Sequence, residues 1–125
     1  MTKTPTLIDI AAAFSKGHFE VAYPFFADHI EWNIIGENRF AGKEAVMANC
    51  KRTASYFDSV TTDFQMSNII ADHNRVAING TATFTRGDEK LAFVSACDVY
   101  EFNDNHELQR IDSYCITHKD TDSND

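Results

Sequence analysis

The chain reads as an α+β protein, with helices packed on one face of a curved antiparallel sheet, and two observations predict this. Up to Ser59 the apolar residues recur mostly at helical spacing, whereas from there onward the period changes to two. The second half is also cut into long strands by short turns, Asp72-His73-Asn74, Arg86-Gly87-Asp88 and Asn103-Asp104-Asn105. Helices first and a meander of strands afterwards is the order of a segregated two-layer domain.

The first helix is predicted to start at Thr6, whose side chain can cap it, because Asp9 lies three residues on as in a capping box. Leu7, Ile10, Ala11 and Phe14 then share one apolar stripe, and Gly17 stops the helix. A second, short helix is expected over Phe19, Val21, Ala22, Phe25 and Phe26, bent or opened by Pro24. A short apolar strand follows, Ile30 to Ile35, ending at Gly36. A polar loop leads to a second glycine at Gly42, and a helix opens directly behind it, from about Lys43 to Phe57. Its buried side carries Ala45, Val46, Cys50, Ala54 and Phe57. Four strands are expected after that, at Val60 to Ile70, Arg75 to Thr85, Leu91 to Phe102 and Leu108 to Thr117. Residues 1–5 read as a loose lead-in and 118–125 as a polar, acidic, flexible tail.

A chain of 125 residues is expected to form one domain, 1–125, that buries about two-thirds of its unfolded surface. Ten phenylalanines suggest a core or cavity walled by rings. The net charge of −8, with eleven scattered Lys and Arg, argues against a nucleic-acid partner, which needs clustered cations. No apolar run approaches the roughly 20 residues that cross a bilayer, and the N-terminus lacks the pattern of a signal peptide, so a soluble, cytoplasmic protein with no membrane partner is expected. Cys50, Cys97 and Cys115 have no CxxC spacing and read as scattered buried thiols. No His, Cys and carboxylate set has metal-ligand spacing, and no metal is predicted. The Gly36 to Gly42 loop lacks the features of a phosphate loop.

The stretch DHIEWNIIGENRFAGKEAV, Asp28 to Val46, preceded by SKGHFEVAYPFFAD, combines a helical run, an acidic turn, a Trp-bearing strand, a Gly loop and a helix. Together these resemble the opening half of a SnoaL-like domain of the nuclear transport factor 2-like superfamily. The resemblance covers nearly the whole chain. It implies a cone-shaped, curved antiparallel sheet wrapped by N-terminal helices, a cystatin-like roll with one pocket. It also implies pairing of two copies through the outer face of the sheet, where Val99, Tyr114 and Ile116 are candidates, so a homodimer is expected.

The strongest single candidate for chemistry lies in the last two strands, SACDVYEFNDNHELQRIDSYCI. Alternation puts Val94, Ala96, Asp98, Tyr100 and Phe102 on one face and Ser95, Cys97, Val99 and Glu101 on the other. Asp98 therefore falls on the more apolar, concave face, where loss of water should raise its pKa and make it a functional-site candidate. The alternative is that Asp98 pairs with a nearby Arg or a backbone group and only builds the fold. The segment Asp98 to Phe102, a turn and a strand ending Ser113-Tyr114 is similar to ketosteroid isomerases. Those place a protonated Asp at the position of Asp98 to donate to a developing oxyanion. The same comparison makes Ile111, Ser113 and Cys115 cavity-facing. The isomerase base falls on or within a residue of Asn33, an amide that cannot abstract a proton, and the isomerase oxyanion tyrosine of the first helix has no counterpart near Ile10.

The SnoaL-like cyclases, which use an acid/base Asp and no cofactor, offer a second template in which Asp98 or Asp112 could serve with His29 or His106. Limonene-epoxide hydrolase uses an Asp-Arg-Asp set. Here Arg110 and Asp112 share a face, but one that points away from Ser113, as in a surface or dimer ion pair. The combined expectation is a small-molecule pocket for an apolar cyclic or carbonyl compound, with no cofactor. Asp98 is its acid/base or oxyanion donor and Asn33 its substrate-orienting partner, and a non-catalytic ligand- or partner-binding module is the alternative. Trp32 and Asn33 face opposite sides of the first strand, and either can be the one that lines the cavity. Tyr56, Phe57 and Phe64 are candidates for its wall or for plain core packing. Phe40, between the two glycines, is placed to cover its mouth.

Overall fold

A computed structural model describes residues 5–118, so the flexible ends expected over 1–5 and 118–125 lie outside the described residues except for Pro5 and His118. Helix α1 spans Leu7–Ser15 and starts as its sequence dictates. The Asp9 amide donates to Thr6 Oγ1 at 3.1 Å, and the Thr6 amide donates to Asp9 Oδ2 at 2.9 Å. This reciprocal box satisfies two amides that a helix start otherwise leaves unpaired. Ile10, Ala11 and Phe14 form its buried stripe. The chain then turns at Gly17 with φ +85°, a conformation only glycine adopts freely, and a Cβ there would meet the Phe57 ring at 2.8 Å.

The expected second helix is absent. Phe19–Val21 and Tyr23–Phe25 form two successive 3₁₀ turns, and Phe26 already belongs to β1, Phe26–Ile34. Pro24 suits the first turn of such a segment, but three-residue turns cannot continue with the poorer 3₁₀ hydrogen bonds. The Gly36 to Gly42 stretch is likewise more than a loop. It contains β2, Asn38–Ala41, which pairs antiparallel with β1 from Glu31↔Ala41 to Ile34↔Asn38. Helix α2 follows over Lys43–Ser59. The four later strands fall close to expectation: β3 at Thr61–Asp72, β4 at Arg75–Arg86, β5 at Glu89–Phe102 and β6 at Leu108–Thr117.

The six strands form one curved, unclosed sheet in the order β2-β1-β6-β5-β4-β3. Its pairs are antiparallel except β1–β6, which is parallel because the chain leaves β1 and returns beside it only after α2 and three further strands. Both helices cover the inner face. Phe14 of α1 packs edge-on against Trp32 of β1 at 5.0 Å and against Tyr100 of β5 at 5.9 Å between ring centroids. Phe57 of α2 stacks on Phe84 of β4 at 5.7 Å. The rings predicted from composition therefore hold the helices onto the sheet, each pair adding about 0.5–1.5 kcal/mol beyond the area it buries. Of the three thiols expected to be buried, only Cys50 is; Cys97 is partly exposed on the outer face and Cys115 is exposed near the end of β6. Among the described residues no helix is long and apolar enough to cross a membrane.

Candidate functional site

Strand β5 presents Asp98 on the inner face between two neighbours, Ile78 of β4 and Ser113 of β6. The last residue of α1 comes down onto it. Ser15 Oγ donates to Asp98 Oδ2 at 2.9 Å and lies 2.5 Å from the Tyr100 hydroxyl, itself 3.4 Å from the same carboxyl oxygen. Since the Ser15 proton goes to Asp98, Tyr100 donates to Ser15, and the order is Tyr100 to Ser15 to Asp98. Both hydroxyls converge on Oδ2, and Ser113 of β6 gives the carboxyl a further hydrogen bond.

The site's electrostatics follow from burial. Asp98 is of intermediate exposure because it borders a cavity, yet atoms crowd it closely and loss of water raises its pKa. Hydrogen bonds from Ser113, Ser15 and Tyr100 act in the opposite direction without cancelling the rise. The fully buried Tyr100 is pushed well above its usual range, first by burial and then by the neighbouring Asp98 charge, so its phenol keeps its proton. A carboxyl that holds its proton to unusually high pH can donate to a carbonyl oxygen; once ionised, it is a stronger base than an ordinary aspartate.

The cavity over Asp98 measures about 200 Å³. Phe14, Phe19, Phe57, Phe64 and Phe84 wall it, and Ser15, Trp32, Thr53, Asp98, Ser113 and Cys115 are its polar lining residues. An apolar cavity of about 150 Å³ accepts benzene, so this volume has room for a small ring compound. Cys115 borders it at the exposed end of β6, and burial of its thiol against the cavity wall pushes its pKa up to about 11, which keeps it un-ionised at neutral pH.

The structure brings Asp98, Trp32, Phe57, Phe64, Ser113 and Cys115 together, but not the other residues singled out from sequence. Trp32, not Asn33, faces the cavity, with Nε1 donating to Ser113 Oγ at 2.9 Å. Asn33 points to the outer face and donates from Nδ2 to Asp112 Oδ1 at 2.8 Å, so it is not positioned to orient anything bound over Asp98. Ile111 is fully buried in the core beneath the cavity, paired with Trp32 and Tyr100. Tyr56 is half exposed and packs on the outside of Phe57 and Phe84, at 6.3 and 5.6 Å. Phe40 packs behind Trp32 at 6.3 Å, under the Arg52 guanidinium, and does not cover the mouth. Arg110 and Asp112 pair at 3.2 Å on the outer face, as the alternation predicts. Ser15 and Tyr100 were not anticipated as site residues. Tyr100 shares the face of Asp98 by alternation and was legible to that extent, whereas Ser15 is a helix-end residue with no local signal.

The SnoaL-like domain model matches residues 8–110. An NTF2-like protein of unknown function from Cytophaga hutchinsonii is 36% identical, over 91% of this chain and 100% of that one, with a TM-score of 0.80. An LEH-like epoxide hydrolase from Mycobacterium tuberculosis is 17% identical, over 84% and 75% of the two chains, with a TM-score of 0.61. A candidate SnoaL-like polyketide cyclase from Shewanella denitrificans is 11% identical, over 84% and 83%, with a TM-score of 0.65. The last two likenesses are of fold alone. No curated protein matches the chain. The chain belongs to the SnoaL-like domain family, within the NTF2-like fold.

Proposed function

We propose that this SnoaL-like protein binds a small, largely apolar ring compound bearing a carbonyl group and that Asp98 transfers a proton on it without a cofactor, as in an isomerisation, ring closure or hydrolysis. The observation that carries this reading is one carboxyl with a raised pKa, fixed by Ser15 and Tyr100 on the floor of an otherwise apolar cavity. Among neighbours of the same fold are an epoxide hydrolase and candidate cyclases, and a cavity of this kind accommodates such chemistry. Protonated, Asp98 donates to the carbonyl oxygen; ionised, it accepts a proton from the adjacent carbon. The Ser15–Tyr100 pair keeps the carboxyl in one orientation through both states.

The second reading, a binding module with no turnover, is favoured by one fact. Asp98 and Cys115 are the only ionisable groups among the described residues lining the cavity, and the Cys115 thiol is too weakly acidic to act as a partner base. A thermal-shift screen of one- and two-ring ketones, terpenoid epoxides and aromatic polyketide fragments, run on the wild type and on Asp98→Asn, tests both readings. A shift in the wild type with turnover that vanishes in the variant supports the enzyme. A shift in both with no turnover in either supports the binding module.

We further propose a homodimer across the outer face of the sheet, in a cytoplasmic setting that suits its free thiols. Tyr114 and Ile116 are 47% and 67% exposed there, beside Val99, an apolar patch of the kind that self-association covers.

A further inference from the structure

On the inner face, Cys115 of β6, Ala96 of β5, Gly80 of β4 and Met66 of β3 pair in one row across the sheet. The two middle residues carry only a methyl group and a hydrogen, so the row forms a trough beside Asp98, two residues on from Ala96 on the same face. Gly80 admits nothing larger. A Cβ there would overlap the Gln65 carbonyl oxygen and lie 2.9 Å from Met66 Cα. Strand β3 comes this close at the edge of the sheet, where its register shifts between Met66 and Asn68, a bulge of the kind that bends an edge strand.

The trough joins two hollows. The phenylalanine-walled cavity lies at its Cys115 end, and a smaller hollow of about 60 Å³ lies at its Met66 end. Ser15, Phe64, Ala82, Ala96 and Asp98 border both, so the carboxyl stands where the two meet. Past that junction the smaller hollow is lined by Met66, Ile78 and Gly80, while Gln65 and Thr81 fall on the opposite face by alternation. Asp98 is its one titratable residue. At roughly 30 Å³ for a group the size of a water molecule, it takes a chain of about two carbons. Ile78 is buried, whereas Met66 is 38% exposed and stands at the outer end.

Resting on the reading of the cavity as a ligand site, we infer that its ligand is a ketone joining a small ring to a short alkyl chain. The ring fills the phenylalanine-walled cavity, the carbonyl meets Asp98 at the junction, and the alkyl chain lies along Ala96 and Gly80 towards Met66. Gly80 keeps the path open, and Met66 is the residue that reads the chain.

Acetophenone, propiophenone and butyrophenone, which share one ring and lengthen the chain by one methylene each, test this. Calorimetric titration of the wild type should find affinity rising about fourfold per methylene, the order expected for burying one CH₂. Met66→Asp puts a charge beside the smaller hollow at a residue that does not line the larger cavity. It should leave acetophenone binding unchanged and abolish the increment. Should Asp at this strand position not be tolerated, Met66→Gln provides the same comparison. Equal affinities along the series in the wild type, or an increment that survives in the Met66 variants, overturns the assignment of the chain to this hollow while leaving the cavity reading intact. Loss of acetophenone binding in folded Met66 variants overturns it as well, since the residue then acts on the whole site. Failure of all three ketones to bind the wild type overturns both readings.

Discussion

Ser15 and Asp98 are 83 positions apart in sequence, and the serine hydroxyl lies 2.9 Å from the carboxyl oxygen it donates to. One helix end is thereby tied to the middle of the longest strand, and the acid's orientation is set by α1. Ser15→Ala removes the donor and strands the buried Tyr100 hydroxyl, whose remaining contact to Asp98 is 3.4 Å. The expected cost is about 1–3 kcal/mol, read by urea denaturation, with a further rise in the pKa of Asp98.

The pH dependence of stability should carry the mark of Asp98. Its pKa is higher in the folded than in the unfolded chain. Below the unfolded value of about 3.9 both states hold the proton and the contribution is fully present. As pH rises from there towards the folded value, the native state alone still binds the proton, so this contribution to stability falls, and it is lost once pH passes the folded value. Asp98→Asn should therefore lose less stability than the wild type as pH is raised from about 4, a difference measured by paired Tm profiles.

Trp32→Phe deletes the donor to Ser113 Oγ and leaves space beside Phe14. A loss of about 1–3 kcal/mol is expected, together with weaker ligand binding, since Ser113 is then free to turn away from Asp98.

Filling the cavity should separate binding from folding. Ala96, next to Asp98 on the inner face of β5, lines the cavity. Ala96→Leu occupies part of its volume, so the variant should remain folded by circular dichroism while any ligand-induced thermal shift disappears.

On the outer face, Ile116→Lys places a charge in the exposed apolar patch. Sedimentation analysis should find the wild type dimeric and the variant monomeric, with its secondary structure unchanged.

Much of this was legible in the residues themselves. Period-two alternation placed Asp98 and Tyr100 on the inner face of β5, and the Thr6–Asp9 spacing marked the start of α1 within the observed capping box. What escaped has identifiable causes. Ile30, Trp32 and Ile34 stand on one side of β1 and the polar Glu31 and Asn33 on the other, so alternation favours Trp32 for the inner face; the resemblance to the isomerases, which puts their base at or beside Asn33, is what left both sides open. The Trp32–Ser113 and Asn33–Asp112 bonds make that choice, and both depend on a parallel pairing between distant segments. Strand β2 is four residues of polar loop composition that become a strand only by pairing with β1. The phenylalanines of residues 19–26 have helical spacing, but their burial is met equally by two tight turns. Ser15 gave no signal because its role exists only where α1 crosses β5.

The most direct test is proton exchange at carbon. Small ring ketones such as beta-tetralone, incubated with the protein in heavy water and followed by NMR, should exchange the hydrogens next to the carbonyl faster with the wild type than in buffer. Asp98→Asn should return the rate to that of buffer while remaining folded. Exchange at the buffer rate with the wild type, or acceleration that persists in Asp98→Asn, would contradict proton transfer by Asp98.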